Sequence, residues 1–220
     1  MRKIFTFVLF IFCFSDIAMC QSKQDYFISK IPKTIITNEP EYLNVTDTIN
    51  KNRRFSSVSN LLGGLSPAYP MAKSNEQIAY DGRVSLDCIS LSCHYACWCI
   101  NFLVEINDTI IEIGTKEKFR EIFAPVESKE EALSFAYALT GLTLFPIYDF
   151  SFLKEEGIDY NVFRKEIKPT SVKELPDGYE VILFDTYYGY VPSYSEVLIF
   201  VSKDGSVDVL KTEQLLERIK

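Results

Sequence analysis

The chain has few of the residues and motifs that common catalytic sites use. It contains one histidine, His94, and one tryptophan in 220 residues. Proton transfer near neutral pH would therefore depend on His94 or on carboxylates with shifted pKa values. The sequence has no Gly-x-Ser-x-Gly nucleophile motif, no phosphate-binding loop, no His-Glu-x-x-His zinc motif and no dinucleotide-binding fingerprint. Because no motif identifies a reaction, we expect a protein without catalytic residues and without a cofactor.

Apolar runs long enough to span a membrane are also missing from the sequence. A spanning helix needs roughly 20 apolar residues, which excludes a multi-span membrane protein here. The composition, 47% hydrophobic with 17 phenylalanines and 13 tyrosines, is too apolar for a wholly disordered chain. At 220 residues, the length suits one ordinary domain with accessory segments.

The first twenty residues are typical of an export signal. Arg2 and Lys3 precede an apolar run at 4–14, and small residues follow around Ala18. The run is about half the length that a spanning helix needs. We therefore predict a signal peptide at 1–20 and a protein that works outside the cytoplasm.

Two kinds of processing are compatible with the end of this signal. Signal peptidase could cut after Cys20 and release the mature chain. Residues 17–20 also resemble the lipobox of bacterial lipoproteins, in which Cys20 would be acylated, although Met19 departs from that pattern. The predicted location is therefore periplasmic, secreted or anchored to the outer membrane, and Cys20 is the only predicted membrane contact.

The net charge of the chain is negative, at −7. Most of the excess acidic residues lie in 74–220. A domain of this charge repels phosphate backbones, which argues against nucleic-acid binding. The charge serves either solubility or the recognition of a basic protein.

Changes in composition divide the mature chain into two parts. Residues 21–82 are rich in Asn, Ser, Thr, Pro and Gly and have no sustained periodicity, so we predict an extended leader or a loosely packed wrap. The folded domain is predicted at 83–220. Its helices are predicted at 116–123, capped by Thr115, and from the capping box of Ser128 and Glu131 to Thr140.

Most of the remaining pattern predicts antiparallel strands. The predicted strands are residues 97–106, 110–113, 171–175, 179–188, 194–202 and 206–210. The polar turn Asn107-Asp108-Thr109 between the first two strands predicts a β-hairpin. A final amphipathic helical turn is predicted at 213–219. The predicted fold class is α+β, with helices packed on a curved antiparallel β-sheet.

The turn at Asp204-Gly205 makes the register of the last hairpin predictable. Asp-Gly between two strands favours a two-residue type I′ turn, in which both residues have positive φ. Phe200 would then lie opposite Val209. Leu198, Phe200, Val207 and Val209 would share the face that meets the helices.

The order of elements resembles that of small exported bacterial modules of the cystatin-like or PepSY-like kind. The resemblance is carried by the helix beginning Glu130-Glu131-Ala132-Leu133, followed by strands such as Asp177-Gly178-Tyr179-Glu180-Val181. It covers at most residues 115–210. It implies a helix followed by a β-meander, and it implies no catalytic residue.

Four cysteines, Cys88, Cys93, Cys97 and Cys99, form the densest chemical feature of the mature chain. An even number of cysteines outside the cytoplasm favours two disulfides. A bond between Cys97 and Cys99 would distort a strand, so both are expected to pair with Cys88 and Cys93. In the alternative interpretation, the four thiolates and His94 bind zinc or copper(I).

Tyrosines are concentrated in a loop between two predicted strands. Tyr187, Tyr188, Tyr190 and Tyr194 could form a contact surface for a protein or glycan. We therefore predict an exported, disulfide-braced, non-enzymatic binding module of the bacterial envelope, of which an immunity-type or inhibitor protein is a specific form. The alternative is an envelope metal-handling or thiol-dependent protein that uses the Cys88 to Cys99 cluster.

Overall fold

The computed structural model describes residues 41–43, 53–56, 59–78, 88–93, 97–143, 160–164, 168–187 and 193–218. The predicted signal peptide, Cys20 and His94 lie outside these residues, as do Tyr188 and Tyr190. Among the described helices, none is both long and apolar enough to cross a bilayer.

The first sheet is built around one long strand. Its five strands are β1 (Arg53–Ser56), β2 (Met71–Ile78), β3 (Ser90–Cys93), β4 (Cys97–Ile106) and β5 (Thr109–Ile113). β4 pairs with β2 along one edge, while β3 and β5 pair with the two halves of its other edge. The turn between β4 and β5 contains Asn107 and Asp108, both with positive φ, as a tight two-residue hairpin requires. The predicted hairpin at this position is confirmed.

The second sheet is also antiparallel. Its strands are β6 (Tyr160–Val162), β7 (Ser171–Leu175), β8 (Gly178–Tyr187), β9 (Ser193–Ser202) and β10 (Val207–Arg218), in the order β6-β10-β9-β8-β7. The pairing of β10 with β9 shifts register twice, between Val209 and Lys211 and between Gln214 and Leu216. After each shift, the alternation of β10 side chains between the two faces of the sheet is reversed.

In the part of the chain that the structure describes, two helices follow the first sheet, α1 (Lys116–Phe123) and α2 (Lys129–Thr140). Thr115 caps α1, and Ser128 and Glu131 form a capping box at the start of α2. Gly141 ends α2 in the left-handed conformation. The sequence predictions for both helices are confirmed. The helices were predictable because their caps are local interactions.

The predicted α+β fold class is wrong, since the structure is mostly β. Residues 213–219, predicted as a helical turn, are strand β10 as far as Arg218. The segment predicted as a leader contributes β1 and β2 to the first sheet. An amphipathic pattern of a few residues fits a bulged strand as well as a helix, so pairing with β9 decided the outcome.

The predicted register of the last hairpin is wrong by one residue. Val209 lies opposite Ile199, and Phe200 lies opposite Asp208. The loop has three residues, 203–205, and only its Gly205 has positive φ. A one-residue shift exchanges the faces of a strand. The residues that β9 contributes to the hydrophobic core are therefore Val197, Ile199 and Val201, and the predicted core positions Leu198 and Phe200 are only half-buried.

The core joins both sheets through the two helices. α2 packs against strands β7 to β10 of the second sheet and against β3 of the first. The rings of Phe102, Phe119, Phe123 and Phe135 form an aromatic cluster between β4, α1 and α2. A short 3-10 turn, Asn60–Leu62, contacts α2 and buries Leu61 and Leu62.

An ion cluster links two strands of the second sheet on the face away from α2. Glu196 of β9 and Glu213 of β10 are register partners, and the guanidinium of Arg164 pairs with both carboxylates. Carboxylates directly opposite each other repel, so Arg164 offsets a cross-strand conflict. The hydrogen bond from Lys211, and then the charges of Lys211 and Arg164, hold the pKa of Glu213 below its ordinary value.

We expect Arg164→Met to lower the free energy of unfolding by about 2 kcal/mol at pH 7, because buried Glu196 would face Glu213 without a bridging cation. Lys211 remains in this variant, so only the part of the lowered Glu213 pKa that the Arg164 charge causes is removed. The stability from that part is present above the ordinary pKa of 4.5 and is lost as the pH falls through the folded-state pKa. Urea unfolding at a series of pH values should therefore show that the difference in unfolding free energy between the wild type and Arg164→Met shrinks as the pH falls below 4.5.

The matched control for this prediction is Lys173→Met. It breaks the exposed pair between Lys173 and Glu180 and should change stability by less than about 0.5 kcal/mol. Equal losses for the two variants, or a loss that is independent of pH, would contradict the role given to Arg164.

Candidate functional site: a cleft beside the disulfide

A disulfide braces the start of the β3 and β4 hairpin. Cys88 and Cys99 are bonded, with their Cα atoms 5.4 Å apart. Buried Asn101 supports the same region, because its side-chain oxygen accepts from the Ile89 amide at 3.4 Å and its amide group donates to Glu112 at 3.2 Å. The predicted presence of a disulfide in the cysteine cluster is confirmed for this pair.

A cleft of about 530 Å³ opens beside this disulfide. Its volume lies within the roughly 300–1,000 Å³ range of small-ligand sites. The aliphatic part of its wall is formed by Ile89, Leu139, Leu142, Val197, Val207 and Val209. The remaining lining residues are Cys88, Ser90, Lys116, Thr140, Asp185 and Thr212. The cleft can hold an apolar group and offers charged and hydroxyl groups around it.

The position of the cleft follows from how far α2 extends along the second sheet. The same face of β8 and β9 carries buried Val181, Leu183 and Val197, and then turns polar at Asp185 and Ser195. α2 ends at Thr140, which itself lines the cleft. The sheet face beyond the end of the helix forms the floor, and Lys116, the first residue of α1, lies on the wall.

Two of the four tyrosines of the predicted contact surface, Tyr187 and Tyr194, occupy positions on opposite faces of the second sheet. Tyr187 occupies the register position two residues beyond Asp185, on the same face of β8 as the cleft. Tyr194 of β9 lies on the opposite face and is 6% exposed. Tyr188 and Tyr190 lie outside the described residues. A contact role for this loop stays a prediction, and buried Tyr194 is not available to a partner.

The alternative metal site loses two of its five members in this structure. Sulfur atoms in a disulfide are not thiolates, so Cys88 and Cys99 are not available as ligands. Cys93 and Cys97 are register partners on β3 and β4. Within the described part of the chain, no group of three or more His, Cys, Asp or Glu side chains is placed to hold a metal ion.

Sequence reasoning missed most of the residues that line the cleft. Lys116, Asp185 and Thr212 come from α1, β8 and β10, and each looks like an ordinary surface residue in its own segment. Only folding brings them together. The cysteine cluster was the one sequence signal that pointed to this region, through Cys88.

Comparison with known proteins adds no constraint on the site. No protein-family model, no curated protein and no solved structure matches the chain. The resemblance to cystatin-like and PepSY-like modules stays a prediction.

Proposed function

We propose that the protein is an exported, disulfide-braced binding module of the bacterial envelope, and that the cleft receives a short segment of a basic partner protein. The observation that carries this proposal is the cleft of about 530 Å³, with six aliphatic residues in its wall beside a covalent brace. Aliphatic walls with a few polar groups at defined positions are typical of binding sites.

Charge favours a cationic segment. The whole chain has a net charge of −7, which attracts basic partners over distances of about a Debye length. Asp185 places a carboxylate on the wall, where it can pair with a lysine or arginine of the partner. Among the described lining residues, Lys116 is the one cation, and its ammonium can donate to a backbone carbonyl of the same segment.

The tyrosine-rich loop can extend this contact surface. Tyr187 lies on the face of β8 that forms the cleft floor, and the loop begins directly after it. A partner segment that leaves the cleft past Asp185 would pass the end of β8 at Tyr187. Tyrosine rings give contact area at a small entropy cost, which suits a protein partner. An inhibitor or immunity protein that masks a basic toxin or hydrolase is the specific form of this proposal.

The test is a pair of substitutions on neighbouring residues of β10. Val209 lines the cleft and is 56% exposed, while Leu210 is 54% exposed and is not part of the lining. Val209→Trp should fill the cleft, and Leu210→Trp adds the same ring outside it. Neither substitution removes core packing, so both variants should unfold near the wild-type temperature.

The probe is a heptapeptide library displayed on phage and selected on the full chain. We expect enriched peptides to share an aliphatic residue next to Lys or Arg. Their affinity should fall at least about tenfold with Val209→Trp and with Asp185→Asn, and should change little with Leu210→Trp. A library without enrichment, or enriched peptides that bind Val209→Trp as well as the wild type, would overturn the proposal.

A further inference from the structure

We propose that Cys93 and Cys97 form a second disulfide, which closes the tip of the hairpin between β3 and β4. The inference rests on strand register and on the bond already present between Cys88 and Cys99. It does not depend on the proposed binding function.

The register places the two cysteines directly across from each other. β3 and β4 are antiparallel, and the last residue of β3, Cys93, is the partner of the first residue of β4, Cys97. Opposite residues in such a pair have Cα atoms about 4.5 or 5.5 Å apart. Disulfides have Cα separations of about 4.4–6.8 Å, so either kind of pair can be bridged without moving the strands.

Because Cys88 is bonded to Cys99, Cys93 and Cys97 can only pair with each other. Four cysteines allow three pairings, and Cys88 already bonds to Cys99. Leu91, and not Cys93, is the register partner of Cys99. The two bonds are therefore nested on one hairpin, with Cys88–Cys99 as the outer bond and Cys93–Cys97 as the inner one.

The oxidation step requires a two-electron acceptor, and a disulfide of the glutathione type supplies it. The Cys93 thiolate attacks one sulfur of oxidised glutathione and releases one reduced glutathione. The Cys97 thiolate then attacks the mixed disulfide and releases the second. Two protein thiols become one disulfide, and one oxidised glutathione becomes two reduced molecules.

The second bond would decide between the two interpretations of the cysteine cluster. With both bonds formed, none of the four sulfurs remains a thiolate, and His94 would be the only remaining member of the alternative metal-ligand set. The cluster would then be a double brace instead of a site for soft metals.

Chymotrypsin mapping tests the pairing, because the enzyme cleaves after large apolar residues and these separate all four cysteines. Cleavage after residues 86, 91, 95, 98 and 102 leaves each cysteine on its own peptide. The full chain is refolded with oxidised glutathione, blocked with N-ethylmaleimide, denatured without reductant and digested. We expect peptide 92–95 linked to 96–98, and peptide 87–91 linked to 99–102.

Each other result contradicts the proposal. Maleimide adducts on 92–95 and 96–98, with 87–91 still linked to 99–102, would show that Cys93 and Cys97 stay reduced in a correctly folded chain. Cross-linking of 92–95 to 87–91 or to 99–102 would show a different pairing. Zinc retained by free Cys93 and Cys97 thiols in native mass spectrometry would support the metal-site alternative.

A double variant provides a second readout. Cys93→Ser with Cys97→Ser should keep the outer bond and the fold, and should lower the unfolding temperature by about 4–8 °C, since a short closed loop is released. The same double variant should unfold at the wild-type temperature once both proteins are reduced. A double variant that unfolds at the wild-type temperature under oxidising conditions would contradict the inner bond.

Discussion

Phe119→Ala is expected to lower the free energy of unfolding by about 4 kcal/mol. Phe119 is fully buried in α1, and its ring contacts Phe102 of β4, Phe123 of its own helix and Phe135 of α2. Removing this ring leaves a cavity where the first sheet meets both helices, and the surrounding backbone elements are too constrained to close it. Urea unfolding followed by far-UV circular dichroism would measure the loss.

The control for Phe119 is the same substitution at a surface position. Phe163 is 57% exposed, so Phe163→Ala should cost less than about 0.5 kcal/mol. Phe119→Leu should lie between the two variants, because leucine refills part of the space. Similar costs for Phe119→Ala and Phe163→Ala would mean that the aromatic cluster does not join the sheets and helices as described.

Gly64→Ala is expected to cost about 3 kcal/mol, because there is no space for a side chain at this position. A Cβ atom on Gly64 would lie 2.3 Å from the Glu130 carbonyl oxygen and 2.8 Å from the Ser134 hydroxyl oxygen. The first of these belongs to the backbone of α2 and cannot rotate away. The segment after the 3-10 turn must therefore separate from the helix, and the buried hydrogen bond from Ser134 to the Leu61 carbonyl would be lost with it.

The neighbouring glycine gives a matched control for this second prediction. Gly63 has φ of −69°, a right-handed conformation that alanine adopts without strain. Gly63→Ala should therefore change stability much less than Gly64→Ala. Hydrogen exchange should also show faster exchange of the Leu62 and Leu65 amides in Gly64→Ala alone. Equal effects of the two substitutions would contradict the close approach at Gly64.

Elements with local signals were predictable from the sequence. The capping box of Ser128 and Glu131 and the cap at Thr115 made both helices predictable, because their hydrogen bonds join residues three positions apart. The hairpin with a turn at Asn107-Asp108-Thr109 was also predicted, since this polar turn separates two β-branched runs. In the structure, Asn107 and Asp108 have the positive φ of a tight turn. None of these interactions involves a distant part of the chain.

Elements that depend on pairing partners were not predictable in the same way. The prediction for residues 204 and 205 assumed a two-residue turn, but the chain forms a three-residue loop in which Gly205 alone is left-handed. Asp-Gly is compatible with a two-residue turn and with a three-residue loop. The two loop lengths bury opposite faces of β9. Contact with α2 selects the face with Val197, Ile199 and Val201.

By itself, the sequence determined the two helices with their caps, the β4–β5 hairpin and the concentration of cysteines on one short segment. Tertiary structure alone decided the mostly β fold, the register of the last hairpin, the inclusion of β2 in a sheet and the cleft. The physical reason is the distance along the chain over which each interaction acts. Caps and tight turns join near neighbours, whereas the cleft needs Lys116, Asp185 and Thr212, which only packing brings to one place.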